Sequence, residues 1–125
     1  MKKNWTIIGV IAILLAAQAS GFAQKTTELY IPIGQSPGLS GKHTLIGKIV
    51  QVNALNNTIT MADAAGAHSV AMAPSTRIYL DKSKAGLPNS QGASTDCKVG
   101  DSIEVKFVDN ARNKPAEWIK VQKAP

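Results

Sequence analysis

The sequence contains one cysteine and few aromatic residues, and both shortages limit what the chain can be. Because Cys97 has no second cysteine to pair with, no disulfide can stabilise the fold from within. Aromatic residues make up 5% of the chain, which is few for the stacking platforms that read single-stranded nucleic acid. Nucleic acid is therefore not expected as a partner.

Compact catalytic and metal-binding motifs are also missing. No C-x-x-C or H-x-H pair occurs, and no acid is coupled to a histidine by its spacing. One string, GQSPG at residues 34–38, matches the G-x-S-x-G pattern of hydrolase nucleophile elbows. That elbow uses the backbone N–H after the serine, whereas Pro37 has no N–H. We predict that the chain is not an enzyme and needs no cofactor.

The longest apolar run is short and lies near the start of the chain. Two lysines precede the largely apolar residues 7–17, and small residues follow. A bilayer crossing needs about 20 apolar residues, whereas this order of charge, apolar run and small residues is typical of a secretory signal peptide. We predict a signal peptide over residues 1–23, cleaved after Ala19 or Ala23, and a periplasmic or secreted product with no remaining membrane span.

Basic residues outnumber acidic ones. Removal of the two lysines in the signal lowers the Lys and Arg count from 14 to 12 against 8 acidic residues, which leaves a net charge of +4. These basic residues are spread along the chain and form no run. Such a modest excess favours contact with an anionic ligand or with an envelope protein of unknown identity.

Short β-type runs alternate with turn signals in the rest of the chain. The sequence predicts strands over residues 44–52, 58–62, 68–72, 76–80, 102–108 and 116–121. Turn signals every 8–12 residues are typical of a small antiparallel barrel or sandwich. We predict an all-β domain over residues 44–125, a five- to six-stranded antiparallel OB-like barrel, with a β-sandwich as the alternative.

Two stretches do not follow this alternation. Residues 24–43 are predicted to be a flexible lead-in, within which residues 28–33 could form an edge strand, since Pro32 would be tolerated only at an edge. Residues 81–95 are polar and without pattern, which indicates a mobile excursion or a binding loop. Gly47 lies inside the first strand and is predicted to mark a bend or a bulge.

Several runs along the chain resemble those of one known group. They are GKIV (47–50), NTITM (57–61), STRI (75–78), VGDSIEV (99–105) and AEWIKV (116–121). Together they resemble small exported bacterial OB-like β-barrels of unknown function. The resemblance implies the barrel fold and export. It implies no active-site residues, because the shared motifs lie in turns and at the starts of strands and are structural.

One face of the predicted barrel combines aromatic and basic residues. Alternation in the last strand places Trp118 and Lys120 opposite its apolar positions, and Lys106 points outward from the preceding strand. We predict Trp118, Lys120, Lys106 and Tyr79 as ligand contacts. The alternative for Trp118 is packing beneath the lead-in.

A looser similarity is to periplasmic copper chaperones with a small five-stranded barrel, which implies Cu(I) held by a histidine, two methionines and a stacked tryptophan. The candidate ligands in this chain are His43, His68, Met61, Met72 and Cys97. The two methionines occupy positions predicted to face the core, and His68 lies about 13 Å from Met72 along an extended strand. Soft-metal binding is therefore the alternative function. For Cys97 the alternatives are a half-buried structural residue, a metal ligand or a disulfide that links a homodimer.

Overall fold

The structure is a computed structural model that describes residues 28–124, so the predicted signal peptide lies outside the described residues. Seven strands follow one another: β1 Leu45–Asn53, β2 Thr58–Asp63, β3 Gly66–Ala71, β4 Arg77–Asp81, β5 Ser90–Gln91, β6 Ser102–Phe107 and β7 Ala116–Gln122. All six predicted strands are confirmed to within two residues at each end. No helix within residues 28–124 has the length and apolarity that a membrane crossing requires.

The strands form one mixed sheet in the order β3-β2-β1-β6-β7-β4-β5. The prediction of a wholly antiparallel fold is wrong, because β4 runs parallel to β7. The prediction of at most six strands is also wrong, since the short β5 lies within the polar stretch 81–95. The edge strands β3 and β5 do not pair, so the sheet is not closed into a barrel. Alternation identifies the buried face of a strand, and it carries no information about its neighbour or direction.

The sheet must nevertheless curl strongly. β3 ends at Ala71 and β4 begins at Arg77, yet these strands occupy the first and sixth positions of the sheet. In a flat sheet five strand spacings would separate them by about 24 Å, while six residue steps reach about 21 Å when fully extended. The linker is not extended, because Thr76 N–H donates to the Ala73 carbonyl at 3.0 Å. Curling brings the two ends of the sheet towards each other.

The concave face of the curled sheet holds the apolar core. Its fully buried members include Ile59, Met61, Val70, Ile103, Val105, Ile119 and Val121. They alternate along β2, β6 and β7, as the period of two in the sequence predicts. Burial of each such side chain stabilises the fold by about 1.5–3 kcal/mol, so this face provides the main apolar driving force.

Gly47 does not lie at the bulge of β1, and a close contact with β2 explains why a glycine occupies this position. The register shift of the β1·β2 pair lies between Ile49 and Gln51. At Gly47, a Cβ would lie 2.2 Å from the carbonyl oxygen of Ala62. Glycine is therefore needed because the backbone of β2 approaches closely.

Residues 28–44, here called the cover segment, lie across the convex face of β4, β6 and β7. The predicted edge strand over residues 28–33 is wrong, because this stretch forms turns, with Ile31 N–H bonded to Glu28 O at 3.1 Å and Gln35 N–H to Pro32 O at 3.1 Å. Gly34 has a positive φ of 81°, a conformation that favours glycine. Residues 28–43 of the predicted flexible lead-in thus form a turn-rich layer bonded to the sheet, and residues 24–27 lie outside the described residues.

Candidate functional site

A well-formed concavity lies where the two ends of the sheet approach each other. Two adjoining cavities of about 410 and 420 Å³ share Asn57, Met72 and Ser94. We call the pair the seam cleft. Its walls are the β1–β2 turn, the β3–β4 linker with the start of β4, and residues 91–98.

The walls of the seam cleft are apolar at the base and cationic at the rim. Val52 and Met72 pack against the buried core, and Ile78 belongs to it. Arg77 and Lys98 are the charged lining residues, and none of the described lining residues is a carboxylate. The cleft therefore suits a ligand that has an anionic group and an apolar part.

Local hydrogen bonds fix the first two walls. Asn57 ends the β1–β2 turn with a positive φ of 51°, which asparagine tolerates better than most residues. Its carbonyl accepts the Met72 N–H at 2.8 Å. Thr76 Oγ1 accepts the Ala73 N–H at 2.9 Å and donates to the Ala116 carbonyl at 2.6 Å. These bonds hold the β3–β4 linker against β7.

The third wall is fixed by one glycine and one aspartate. Gly92 N–H donates to the Ile78 carbonyl at 2.8 Å, and a Cβ on Gly92 would lie 2.7 Å from Leu80 Cδ2. Asp96 Oδ2 accepts the Ala93 N–H at 2.7 Å. Residues 91–96 therefore form a wall of the cleft, and residues 91–95 belong to the stretch predicted to be a mobile excursion or a binding loop.

The four predicted contact residues do lie together on the convex face. Trp118 is the register partner of Lys106 on β6, and Lys120 is the register partner of Tyr79 on β4. However, Trp118 is 3% exposed and Lys120 is fully buried. Tyr79 packs edge-on against Tyr30 of the cover segment, with ring centroids 5.4 Å apart. Lys106 pairs with Glu117 at 3.4 Å.

Trp118 and Lys120 are buried because the cover segment is hydrogen-bonded to polar side chains on the same face of the sheet. Glu104 accepts three hydrogen bonds from the segment: Gly34 N–H at 3.0 Å, Ser40 Oγ at 2.7 Å and Thr44 Oγ1 at 2.8 Å. Asp81 accepts the Ile33 N–H at 2.9 Å. Asn89 Nδ2 donates to the carbonyls of Leu29 and Ile31 at 3.1 and 3.2 Å. Glu104 points away from the apolar core, as alternation along β6 requires, and it is nevertheless fully buried because the cover segment satisfies its carboxylate.

Lys120 is the least satisfied member of this group. Its Nζ lies 4.6 Å from the Trp118 ring centroid and has no hydrogen-bond partner among residues 28–124. Burial lowers the pKa of Lys120, an effect that the nearby charges of Glu104, Glu28 and Asp81 partly oppose. The covered face is closed in this structure, so Trp118 and Lys120 do not form an open stacking platform.

The five candidate metal ligands are dispersed. His43 is exposed in the cover segment, Met61 is fully buried, and His68 bonds to Asp63 Oδ1 at 3.0 Å. Of these five, Met72 and Cys97 both line the seam cleft. No group of three or more His, Cys, Asp or Glu side chains within residues 28–124 could hold a metal ion.

Cys97 belongs to the core, where it is 3% exposed. Burial is the main cause that raises its pKa to about 11, so the thiolate form is scarce at neutral pH. The chain has no second cysteine, and Cys97 is free in this single chain. A disulfide to a second copy would require the residue to leave the core.

Sequence reasoning did not identify Glu104, Asp81 and Asn89 as buried residues that hold the cover segment. It also did not predict that Met72 and Arg77 line one cleft. No sequence signal identified Glu104 as buried, because alternation between Ile103 and Val105 is equally compatible with an exposed acid. No signal in the sequence indicated which strands meet at the seam, because this depends on the β3–β4 crossing.

No protein-family model, no curated protein and no solved structure matches the chain.

Proposed function

We propose that the chain is an exported, non-catalytic binding module of the bacterial envelope with an OB-like fold, and that the seam cleft holds its ligand. The observation that carries this proposal is the composition of the cleft, which joins an apolar base to Arg77 and Lys98 with no described carboxylate in its lining.

The strand order supports an OB-like origin of the sheet. If β3 and β4 are two halves of one strand interrupted at residues 72–76, that strand neighbours β2 at one end and β7 at the other. The strand order then returns to itself, as in a five-stranded barrel that is partly open. Barrels of the OB type bind ligands on their second and third strands and on the loop between the first two. The seam cleft lies against the corresponding elements, the β1–β2 turn and the interruption.

The charge of the cleft defines the ligand class. Arg77 and Lys98 lie in the linings of the two adjoining cavities, with Met72 common to both. A ligand with an acidic group would pair with either cation, and its apolar part would cover Met72 and Val52. Amphiphilic acids of the cell envelope and acidic peptide segments have this chemistry.

Protein recovered from the periplasm tests both parts of the proposal. Its intact mass should lack residues 1–19 or 1–23 if the chain is exported and cleaved. We would titrate the protein with the anionic apolar probe 8-anilinonaphthalene-1-sulfonate and follow the amide NMR signals. The signals of residues 72–78 and 91–98 should shift. Substitution of both cations, R77Q/K98Q, should weaken this binding at least about fivefold, since charge-assisted contacts are the stronger polar ones.

A matched control separates the site from net charge. The variant K42Q/K114Q removes the same charge from exposed positions that do not line the cleft, and it should bind the probe within about twofold of the parent. Equal losses in the two double variants, or shifts centred away from the cleft, would contradict the proposed site. An uncleaved chain retained in the cytoplasm would contradict export.

Soft-metal binding is the second candidate, and one observation favours it: Met72 and Cys97 line the same cavity. Thioether and thiolate sulfur are ligands that suit Cu(I). Native mass spectrometry of the periplasmic protein should then show a copper adduct that is lost in Met72→Leu but retained in Met61→Leu. Absence of any adduct would leave the anionic ligand as the better account.

A further inference from the structure

We propose that a second concavity, at the end of the sheet where β6 begins, binds a phosphate group. This depression has a volume of about 230 Å³ and is lined by Lys48, Lys84, Gly100, Asp101, Ser102, Gln122, Lys123 and Ala124. It shares no lining residue with the seam cleft, so the inference is independent of the function proposed above.

Strand register brings the donors of this depression into one row. Lys48 on β1 is the register partner of Ser102 on β6. Because Ile103 pairs with Val121, Ser102 lies beside Gln122 on β7. An ammonium, a hydroxyl and an amide therefore follow one another across three adjacent strands on the same face. The row offers donors at spacings of about 5 Å.

The charge balance of the depression favours an anion. Asp101 is its single lining carboxylate, and Lys123 Nζ neutralises it at 2.9 Å. Lys123 also donates to the backbone carbonyl of Asp96. Lys48 and Lys84 take part in no ion pair within residues 28–124. Two uncompensated ammonium groups therefore line a concave surface, where an anion is attracted more strongly than on a convex one.

The turns that carry these groups are fixed by backbone bonds. Gly100, which has a positive φ of 94°, donates to Ile49 O at 2.8 Å, and Ile49 N–H donates to Asp101 O at 2.9 Å. Lys84 belongs to a short 3₁₀ turn whose Ser83 N–H donates to Asp81 Oδ1 at 2.9 Å. The depression is therefore held in shape by the protein before any ligand arrives, which lowers the ordering cost of binding.

A tetrahedral phosphate matches this donor set, since its oxygens can accept from two ammonium groups and from the neutral donors Ser102 and Gln122 at once. The phosphate could be a free anion or the headgroup of an anionic phospholipid. Both sources present the same oxyanion, and they differ in whether a membrane surface accompanies it.

Titration with inorganic phosphate at constant ionic strength, followed by amide NMR, tests the site. We expect saturable shifts of residues 100–102 and 122–124. The variant K48Q/K84Q should lose affinity at least about fivefold, and Ser102→Ala should lose about two- to threefold. The control K42Q/K114Q carries the same charge change outside the depression and should stay within about twofold of the parent.

Co-sedimentation with phosphatidylglycerol vesicles distinguishes the two sources. Vesicle binding that is lost in K48Q/K84Q assigns the site to a lipid headgroup, whereas phosphate binding without vesicle binding assigns it to a free phosphate. Equal losses in K48Q/K84Q and K42Q/K114Q would show a general charge effect and overturn the proposal. The absence of saturable shifts at residues 100–102 would overturn it as well.

Discussion

At their centre, the two faces of β6 and β7 are both fully buried, but by different means. On the concave face, Ile103 and Ile119 are fully buried in an apolar core. On the convex face, Glu104 and Lys120 are also fully buried, as direct cross-strand partners beneath the cover segment. Burial of the concave face follows from side chains that avoid water. Burial of the convex face depends on specific hydrogen bonds, because a charged group in a dry site is costly unless it is satisfied.

This difference predicts how each face responds to substitution. The apolar contacts are numerous and individually weak, so loss of one methyl group removes a small share of them. The contacts of Glu104 are three hydrogen bonds to one carboxylate. Removal of that carboxylate leaves several partners buried and unpaired at once.

The largest effect is therefore expected for Glu104→Ala. It would strip Gly34 N–H, Ser40 and Thr44 of their acceptor and leave Lys120 without its cross-strand carboxylate. Removal of one partner from a buried charged group costs about 3–5 kcal/mol, and we expect a loss of unfolding free energy of at least about 3 kcal/mol. Urea denaturation followed by tryptophan fluorescence measures it, because Trp118 lies on the same face.

Glu117→Ala is the matched control. Glu117 lies on β7 and pairs with Lys106, but its side chain is 39% exposed. Exposed ion pairs contribute about 0–1 kcal/mol, so this variant should remain within about 1 kcal/mol of the parent. Similar losses in Glu104→Ala and Glu117→Ala would show that the hydrogen bonds to the cover segment contribute little, and the distinction between the two faces would fail.

The concave face could be predicted from sequence, and the convex face could not. Period-two alternation in SIEVKF and AEWIKV is enough to place Ile103, Val105, Ile119 and Val121 inward. The same rule places Glu104 and Lys120 outward, which is correct for their direction and wrong about their exposure. Exposure depends on the cover segment, whose turns carry no hydrophobic period. A segment that binds through backbone N–H groups leaves little trace in side-chain pattern.

The candidate sites show the same limit. Arg77, Lys98, Lys48 and Lys84 appeared in the sequence as scattered cations without a cluster. The seam cleft and the second concavity, which lies where β6 begins, arise from strand order, in particular from the β3–β4 crossing and from the register of β1 with β6. Long-range pairing is not encoded in local spacing, so the residue types could be recognised while their grouping could not.

A second, smaller effect is expected from the acid dependence of Asp81. Burial would raise its pKa, but hydrogen bonds from Ser83 and Ile33 and the charge of Lys120 outweigh that cost, so the pKa lies below its usual value of 3.8. Because the folded pKa is the lower one, the ionised carboxylate stabilises the fold above pH 3.8, and this stabilisation is lost as pH falls further. Asp81→Asn should lose about 2 kcal/mol at pH 7.

Unfolding curves of the parent and Asp81→Asn across pH 7 to pH 2 check the sign. The stability difference between the two proteins should be constant above about pH 5 and should shrink below pH 4. Asp63→Asn is the comparison for a carboxylate in an exposed turn. Hydrogen bonds from His68 and Ala65 also lower the pKa of Asp63, so its stability difference should shrink over the same acid range. A difference that grows as the pH falls would contradict the lowered pKa of Asp81.

The smallest effect is expected where the convex face is least satisfied. Lys120 Nζ has no hydrogen-bond acceptor among residues 28–124, and burial lowers its pKa. Methionine has a similar length and no charge to desolvate, and replacing buried ions by apolar residues of similar volume is often neutral or stabilising. Lys120→Met should therefore change the unfolding free energy by less than about 1 kcal/mol. The acid transition should nevertheless move to higher pH, because the charge of Lys120 helps to lower the pKa of Asp81. A loss above about 3 kcal/mol, comparable with Glu104→Ala, would mean that the ammonium is a required counter-charge. A neutral result with a shifted acid transition would instead show that Glu104 and its three donors attach the cover segment. The role of Lys120 would then be limited to lowering the pKa of Asp81.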